Sequence, residues 1–161
     1  RLTIVVFSDF ECPYCARLRP ILDSILEQHP SEISIVCRHF PLSAIHAMAT
    51  PAAVASECAG LAGKFWQFHD QLFGNPAFVP SAQWDSAAAR AGVTDMGRFA
   101  DCVRSHGAVD QFVQADIADA SRLGLTGTPA LLLNSTLVIG LPPTPRLGAL
   151  IEQAIRQGGP R

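Results

Sequence analysis

No run of apolar residues in this sequence is long enough to cross a bilayer, although 48% of its 161 residues are hydrophobic. Positive charge is not in excess: twelve Lys and Arg stand against fourteen Asp and Glu, a formal net charge of −2. That balance leaves no basic footprint and excludes nucleic acid as an expected partner. Lysine is almost missing, Lys64 being the only one; this speaks of genome composition more than of function. There is no signal peptide, and Arg1 opens almost directly into an apolar, strand-like run. We therefore expect a domain trimmed of a targeting segment. Repeats and low-complexity tracts are lacking as well. Cysteine is too scarce for a disulfide-stapled miniprotein: there are five, at positions 12, 15, 37, 58 and 102. The odd count leaves at least one thiol unpaired in a monomer. What remains suits one domain, long enough to bury a core.

Leu2 to Phe7 (LTIVVF) is apolar and β-branched, and reads as a buried strand. A helix follows from Cys12, with Pro13 in its first turn, where the missing N–H costs nothing. Leu18, Ile21, Leu22 and Ile25 recur at helical spacing. Pro20 falls inside that pattern and predicts a kink; His29-Pro30 ends it. Ile33–Phe40 reads as a second strand, so the chain begins with a βαβ unit and a right-handed crossover. From Ala44 to Leu123 the pattern is helical. We expect helices over Ile45–Leu61, Lys64–Phe73, a stretch capped by Ser81 up to Ala91, and one capped by Thr94 up to Ser105. A last stripe runs through Val109, Phe112, Val113, Ile117 and Ala120. After Gly127-Thr128-Pro129 come ALLLN and TLVIG, joined at Asn134-Ser135 as a β-hairpin. Pro145–Gln157 closes the chain as an amphipathic helix. The helical block carries apolar stripes of its own and is no linker. The organisation expected is a small α/β domain, residues 1–43 and 124–161, with an all-helical insertion at 44–123.

Against this scarcity, Cys12-Pro13-Tyr14-Cys15 stands where the first strand gives way to the first helix. A helix N-terminus presents unpaired N–H groups and the positive end of a dipole, so a thiolate there is stabilised and its pKa falls. Cys12 should be the accessible thiol. Cys15, a turn further on, is tucked beneath it and close enough to attack a mixed disulfide at Cys12. Two plainer readings stand beside this one. A C-x-x-C is half a zinc site, but zinc needs a second ligand pair, and His39, His46, His69 and His106 show no zinc-finger spacing. The pair could also be an inert staple, although a helix start is an unusual place for one. A second signal comes more than a hundred residues later: Thr128-Pro129 stands at a strand entrance, where the proline is either an ordinary edge residue or a cis one.

Four stretches in fixed order carry a family resemblance: FSDFECPYC at Phe7–Cys15, CRHFPL at Cys37–Leu42, GKFWQFHDQLF at Gly63–Phe73 and GLTGTP at Gly124–Pro129. Together they resemble the DsbA-like thioredoxin-fold thiol oxidoreductases, over essentially the whole chain. The resemblance implies a thioredoxin fold with a helical insertion between the second strand and the strand after the cis proline. It implies Cys12 as nucleophile and Cys15 as resolving thiol, supported by Pro13, Tyr14 and Glu11. It also implies a cis Pro129 against the disulfide, with Thr128 shaping a peptide groove. It implies no cofactor and no metal. The expected partners are reduced, unfolded secreted proteins and a quinone-linked membrane reoxidant of the DsbB or vitamin K epoxide reductase type. The expected place is periplasmic or otherwise extracytoplasmic, with tethering or fusion to a membrane protein open, and the expected state is monomeric.

Three departures accompany the resemblance. Val6 stands where relatives often carry a glutamate able to shuttle the proton of the buried thiol, leaving Asp9, Glu11 or water for that task. Cys37 replaces an aromatic or aliphatic residue and reads as a buried free thiol. The segment Leu141–Pro145 is rich in proline, so the last helix should start late. Cys58 and Cys102 recur in the branch resembled, and an oxidising compartment favours a disulfide between them over two buried thiols. His39 and His46 flank the strand exit and could line the active face. His69, with Phe65, Trp66 and Phe68, reads as core packing of the insertion, as does Trp84. Asp9 and Glu11 read as surface charges near the site. The expected function is thus a disulfide oxidase. The alternatives are a reductase or isomerase for a specific partner, or, in another class, a substrate-binding or chaperone module with an incidental disulfide.

Overall fold

The computed structural model describes residues 1–158. Strand β1 (Leu2–Ser8) leads into helix α1 (Pro13–Gln28) and strand β2 (Ile33–His39). Five helices follow: α2 (Ala49–Leu61), α3 (Phe65–Gly74), α4 (Trp84–Ala91), α5 (Met96–Ser105) and α6 (Val109–Arg122). The chain then returns through β3 (Ala130–Leu133), β4 (Thr136–Ile139) and α7 (Thr144–Gln157). The sheet order is β2-β1-β3-β4, with β1 and β2 parallel and the other pairs antiparallel. The antiparallel pair β3–β4 turns at Asn134, whose φ of 54° is one that asparagine tolerates better than most side chains.

Alternation along β1 divides the interior. Leu2, Ile4 and Val6 face one side and pack with Leu18 and Leu22 of α1, Leu131 and Leu133 of β3, and Leu147 and Ile151 of α7. Phe7 faces the other side and packs with Ala120 of α6, Leu125 and Ala130. The helices between β2 and β3 enclose a separate core that includes Phe68, Leu72, Trp84, Phe99 and Val113, and Phe10 reaches into it from the turn after β1. The central strand therefore ends where the two cores meet.

Several local expectations are corrected. Helix α2 starts at Ala49, not Ile45, and Ile45 lies 73% exposed in the preceding turn. Ser81 caps nothing; its hydroxyl donates to the carbonyl of Ala77, and α4 begins after Gln83. Asp95 rather than Thr94 caps α5, accepting the Arg98 N–H at 3.0 Å. Helix α7 begins at Thr144, one residue earlier than expected, and α1 continues past Pro20, which has no N–H to give to Ala16.

Candidate active site

Cys12 is the N-cap of α1. Its backbone is extended (φ −77°, ψ 117°), and no side-chain oxygen caps the helix. A sulfur thus sits where a capping oxygen usually would, and the free amides of the first turn point toward it. The turn that places it is closed by Cys12 N–H donating to the Asp9 carbonyl at 3.1 Å. The Cys12 thiol falls from an ordinary 9.0 to about 5. The leading cause is the Cys15 S–H aimed at it; burial opposes this, and Thr128 together with the amides of Cys15 and Tyr14 adds to the fall. Burial, reinforced by the hydrogen bond to Cys12, drives the Cys15 thiol the opposite way. The two sulfurs thereby divide their roles: one favours the thiolate, the other keeps its proton.

Cys12 is more enclosed than the sequence alone indicates, while Cys15 is tucked away as expected. Cys12 is 5% exposed and Cys15 3%, which corrects the expectation of an accessible Cys12. Cys12 instead opens into a groove of about 280 Å³, lined by Glu11 and Pro13 on its own side and by Phe73, Pro76, Val79 and Pro80 on the other. The far wall belongs to the insertion; Phe73 ends the GKFWQFHDQLF stretch, while Pro76, Val79 and Pro80 lie in no motif that the sequence showed. Tyr14 is exposed, and its ring lies 4.4 Å from the Arg17 guanidinium carbon.

Thr128 meets the pair from the entrance to β3, the strand beside β1. The Thr128–Pro129 bond is cis. The Thr128 carbonyl accepts from Cys12 Sγ at 3.3 Å. Its hydroxyl is buried and is the one side-chain polar atom of that kind without a hydrogen-bond partner among the described residues. A hydroxyl in that position is a donor waiting for an anion.

Asp9 is not a surface charge. It is 2% exposed and accepts three hydrogen bonds, each 2.8 Å long: from Glu11 N–H, Leu42 N–H and His46 Nδ1. Glu11 accepts from Met48 N–H at 2.6 Å. The turn carrying Cys12 is thus tied to the loop that leads into the insertion. Burial pulls the His46 imidazole down, but Asp9, with smaller help from Glu11 and Cys12, outweighs it and holds His46 above its usual value. His39 lies deeper, with Nε2 2.9 Å from Glu57 Oε1, and its amide donates to Asp116. Arg38 bridges Asp116 and Asp119 and so joins β2 to α6. Cys37 is half-buried, and burial pushes its thiol up to about 12. Cys58 and Cys102 sit elsewhere, their sulfurs 1.99 Å apart across α2 and α5. Among the described residues no group of three or more His, Cys, Asp or Glu is placed to hold a metal ion.

The family model described as Thioredoxin matches residues 1–153. The chain belongs to the thioredoxin family. A thioredoxin-like oxidoreductase from Silicibacter pomeroyi DSS-3 superposes with a TM-score of 0.80 at 26% identity, over 98% of this chain and 88% of that one. DsbA2 of Pseudomonas aeruginosa gives 0.77 at 26% identity, over 95% and 88%. This thioredoxin-family chain has the DsbA-like form of the fold, with helices set between β2 and β3. It is also 37% identical, over 134 residues, to the Na(+)/H(+) antiporter NhaA 1 of Mycolicibacterium gilvum (strain PYR-GCK). That match covers 83% of this chain but only 22% of the antiporter, so the chain spans about a fifth of the length of such relatives.

Proposed function

We propose that this chain is an extracytoplasmic thiol–disulfide oxidoreductase acting as a disulfide oxidase on folding proteins. The observation that carries this reading is the placing of the two thiols: Cys12 caps the start of α1 with its Sγ 3.3 Å from the Thr128 carbonyl, and Cys15 lies buried one turn on, so that Cys12 is lowered to about 5 and Cys15 driven up. At pH 7 Cys12 is then almost wholly thiolate, by a factor of about 10². Stabilising that thiolate stabilises the reduced enzyme, which makes its disulfide the stronger oxidant.

The cycle follows from the roles. In the oxidised enzyme a substrate thiolate attacks Cys12 Sγ and the Cys12–Cys15 bond breaks. Cys15 leaves and is protonated; Cys12 is held in a mixed disulfide. A second substrate thiol attacks the substrate sulfur, a substrate disulfide forms, and Cys12 departs as the stabilised thiolate. Pro13 fixes the start of the helix that carries the pair. Tyr14, the Glu11 side of the groove and the Thr128–Pro129 segment support an extended substrate beside Cys12, and Thr128 offers backbone groups to it. Reoxidation passes the two electrons taken from the substrate to a quinone-linked membrane partner of the DsbB or vitamin K epoxide reductase type. The Cys58–Cys102 disulfide supports an oxidising compartment.

We read residues 1–43 and 124–161 as the redox unit and 44–123 as the insertion that supplies the far wall of the groove. The likeness to a fifth of an antiporter fits a redox module carried by, or held near, a membrane protein. Ion transport itself is not proposed for this segment, because no helix among the described residues is long and apolar enough to cross a membrane.

Equilibration with glutathione tests the direction of flow. Thioredoxin lies at about −270 mV and DsbA at about −120 mV; a value nearer the second is expected. A value at or below the first would make the protein a reductase. Absence of any insulin-reducing activity, unchanged by Cys12→Ser, would make it a binding module.

A further inference from the structure

Cys15 must lose a proton each time it attacks a mixed disulfide at Cys12, and must regain one each time the internal disulfide opens. It cannot do so through its own surface, since it is 3% exposed. A cleft of about 20 Å³ adjoins it, which is room for about one water. Besides the Trp66 indole, which only donates, the polar side chains lining that cleft with Cys15 are Ser8 of β1, Arg19 of α1, Cys37 of β2 and His69 of α3. No carboxylate lines it; the strand position facing it is Val6.

Of those four, His69 alone can exchange a proton near neutral pH. Arg19 is a permanent cation and Ser8 can relay a proton but not keep one. Cys37 holds its own up to about 12. His69 is buried, and Nδ1 lies 2.9 Å from Asp70 Oδ1. With Nδ1–H given to that carboxylate, Nε2 is the unprotonated nitrogen of a ring that lines the cleft. The Asp70 side chain is 46% exposed, and its Oδ2 lies 3.5 Å from Arg19 Nη2. A line of exchangeable groups thus runs from the enclosed sulfur to solvent.

We propose that His69 is the base that takes the Cys15 proton across this cleft, with Asp70 holding the ring and handing the proton to solvent, an assignment that rests on the dithiol chemistry argued above. In the step, the Cys15 S–H bond breaks and its proton passes through one water to Nε2. The Cys15 thiolate forms the bond to Cys12 Sγ while the bond from Cys12 to the partner sulfur breaks. The partner leaves as a thiolate, and His69 returns its extra proton from Nδ1 by way of Asp70. In the opposite half of the cycle the same groups deliver a proton to Cys15. The charged and titratable groups facing His69 are Asp70 on its own helix, Arg19 and Cys15 from α1, and His39 and Cys37 from β2. Burial leads in lowering the imidazole, with Arg19 and His39 adding to it and Asp70 opposing, so the ring is neutral at pH 7, and it is Asp70 that favours the charged ring when it accepts.

The test separates the two thiols in time. Reduced protein is mixed with oxidised glutathione and acid-quenched. The concentration-dependent rate reports Cys12 forming the mixed disulfide, and the limiting rate at saturation reports Cys15 resolving it. For His69→Gln the limiting rate should fall about a hundredfold at pH 7, the low end of what a positioned base contributes. It should also rise in proportion to hydroxide where the native protein levels off. The rate of mixed-disulfide formation should stay native. Asp70→Asn, at a position whose side chain is 46% exposed, should lower the same plateau by a smaller factor. An unchanged limiting rate and pH profile in both variants overturns the relay and leaves the oxidoreductase reading intact. An equal loss in both steps overturns it too, because that is what a merely structural histidine would give. If His69→Gln does not fold, Asp70→Asn decides alone, an unchanged plateau refuting the relay. Failure of the native protein to form a mixed disulfide at Cys12 overturns both readings.

Discussion

Thr128 keeps a buried hydroxyl without a protein partner right beside Cys12. Leaving such a group unpaired costs about 1–3 kcal/mol, and a hydrogen bond to a charged group contributes about as much. The thiolate is therefore the acceptor this hydroxyl fits. Thr128→Val should raise the Cys12 pKa by about one unit. The thiolate's ultraviolet absorbance against pH measures it, and an unmoved midpoint would remove Thr128 from the stabilising set. The same depressed thiol sets a pH dependence. Cys12 titrates at about 5 when folded and at 9.0 ordinarily, so between those values the unfolded reduced chain binds the extra proton. Stability of the reduced form should then climb with pH across that window and be lost as pH falls toward 5, while the oxidised form lacks the effect. Melting curves of both forms check this, and Cys12→Ser should flatten the difference. At this scale the cysteines and Thr128-Pro129 were legible, because residue type and short spacing spell their chemistry. Asp9 was not. Its partners Leu42 and His46 lie 33 and 37 residues away, and only folding brings them to one carboxylate.

Asp9 also acts between elements, binding the turn after β1 to the loop before α2. Asp9→Ala would strand the amides of Glu11 and Leu42 and the His46 ring. Breaking one side of such an enclosed pair costs about 3 kcal/mol. Part of that loss should depend on pH. His46 is held above its ordinary 6.5, so its contribution is complete below that value and disappears as pH rises through the raised one. Denaturant titrations of native and variant protein should thus converge partly in alkali; a gap that widens there would contradict the pairing. The second tie is Cys58–Cys102, which joins α2 to α5 over a separation of 44 residues. Chain entropy gives such a loop about 4 kcal/mol. Replacing both by Ala should lower denaturant midpoints while glutathione exchange at Cys12 persists; loss of exchange would mean that the groove wall depends on the bond. Helix existence was legible here from apolar stripes, helix starts less so. Ser81 and Thr94 are both good capping residues, yet one bonds backward to Ala77 and the other yields to its neighbour Asp95. Nothing local decides between such choices.

At the scale of the whole molecule, the order of strands and helices was readable because each change of periodicity is bounded by glycine or proline. The meeting of two cores at the end of β1 was not, since Phe10 belongs by sequence to the active-site turn and by packing to the insertion. This meeting puts Trp66 on the wall of the cleft beside Cys15, while Trp84 is enclosed in the insertion's own core. The molecule consequently carries a built-in optical gauge. Sulfur quenches indole emission on close approach, and Trp66 alone of the two indoles shares a wall with the sulfur that changes bonding. Emission should shift between the reduced and oxidised protein. Trp66→Phe should abolish that shift and Trp84→Phe should leave it, so the redox state of the enzyme can be followed by its own light, with no label attached.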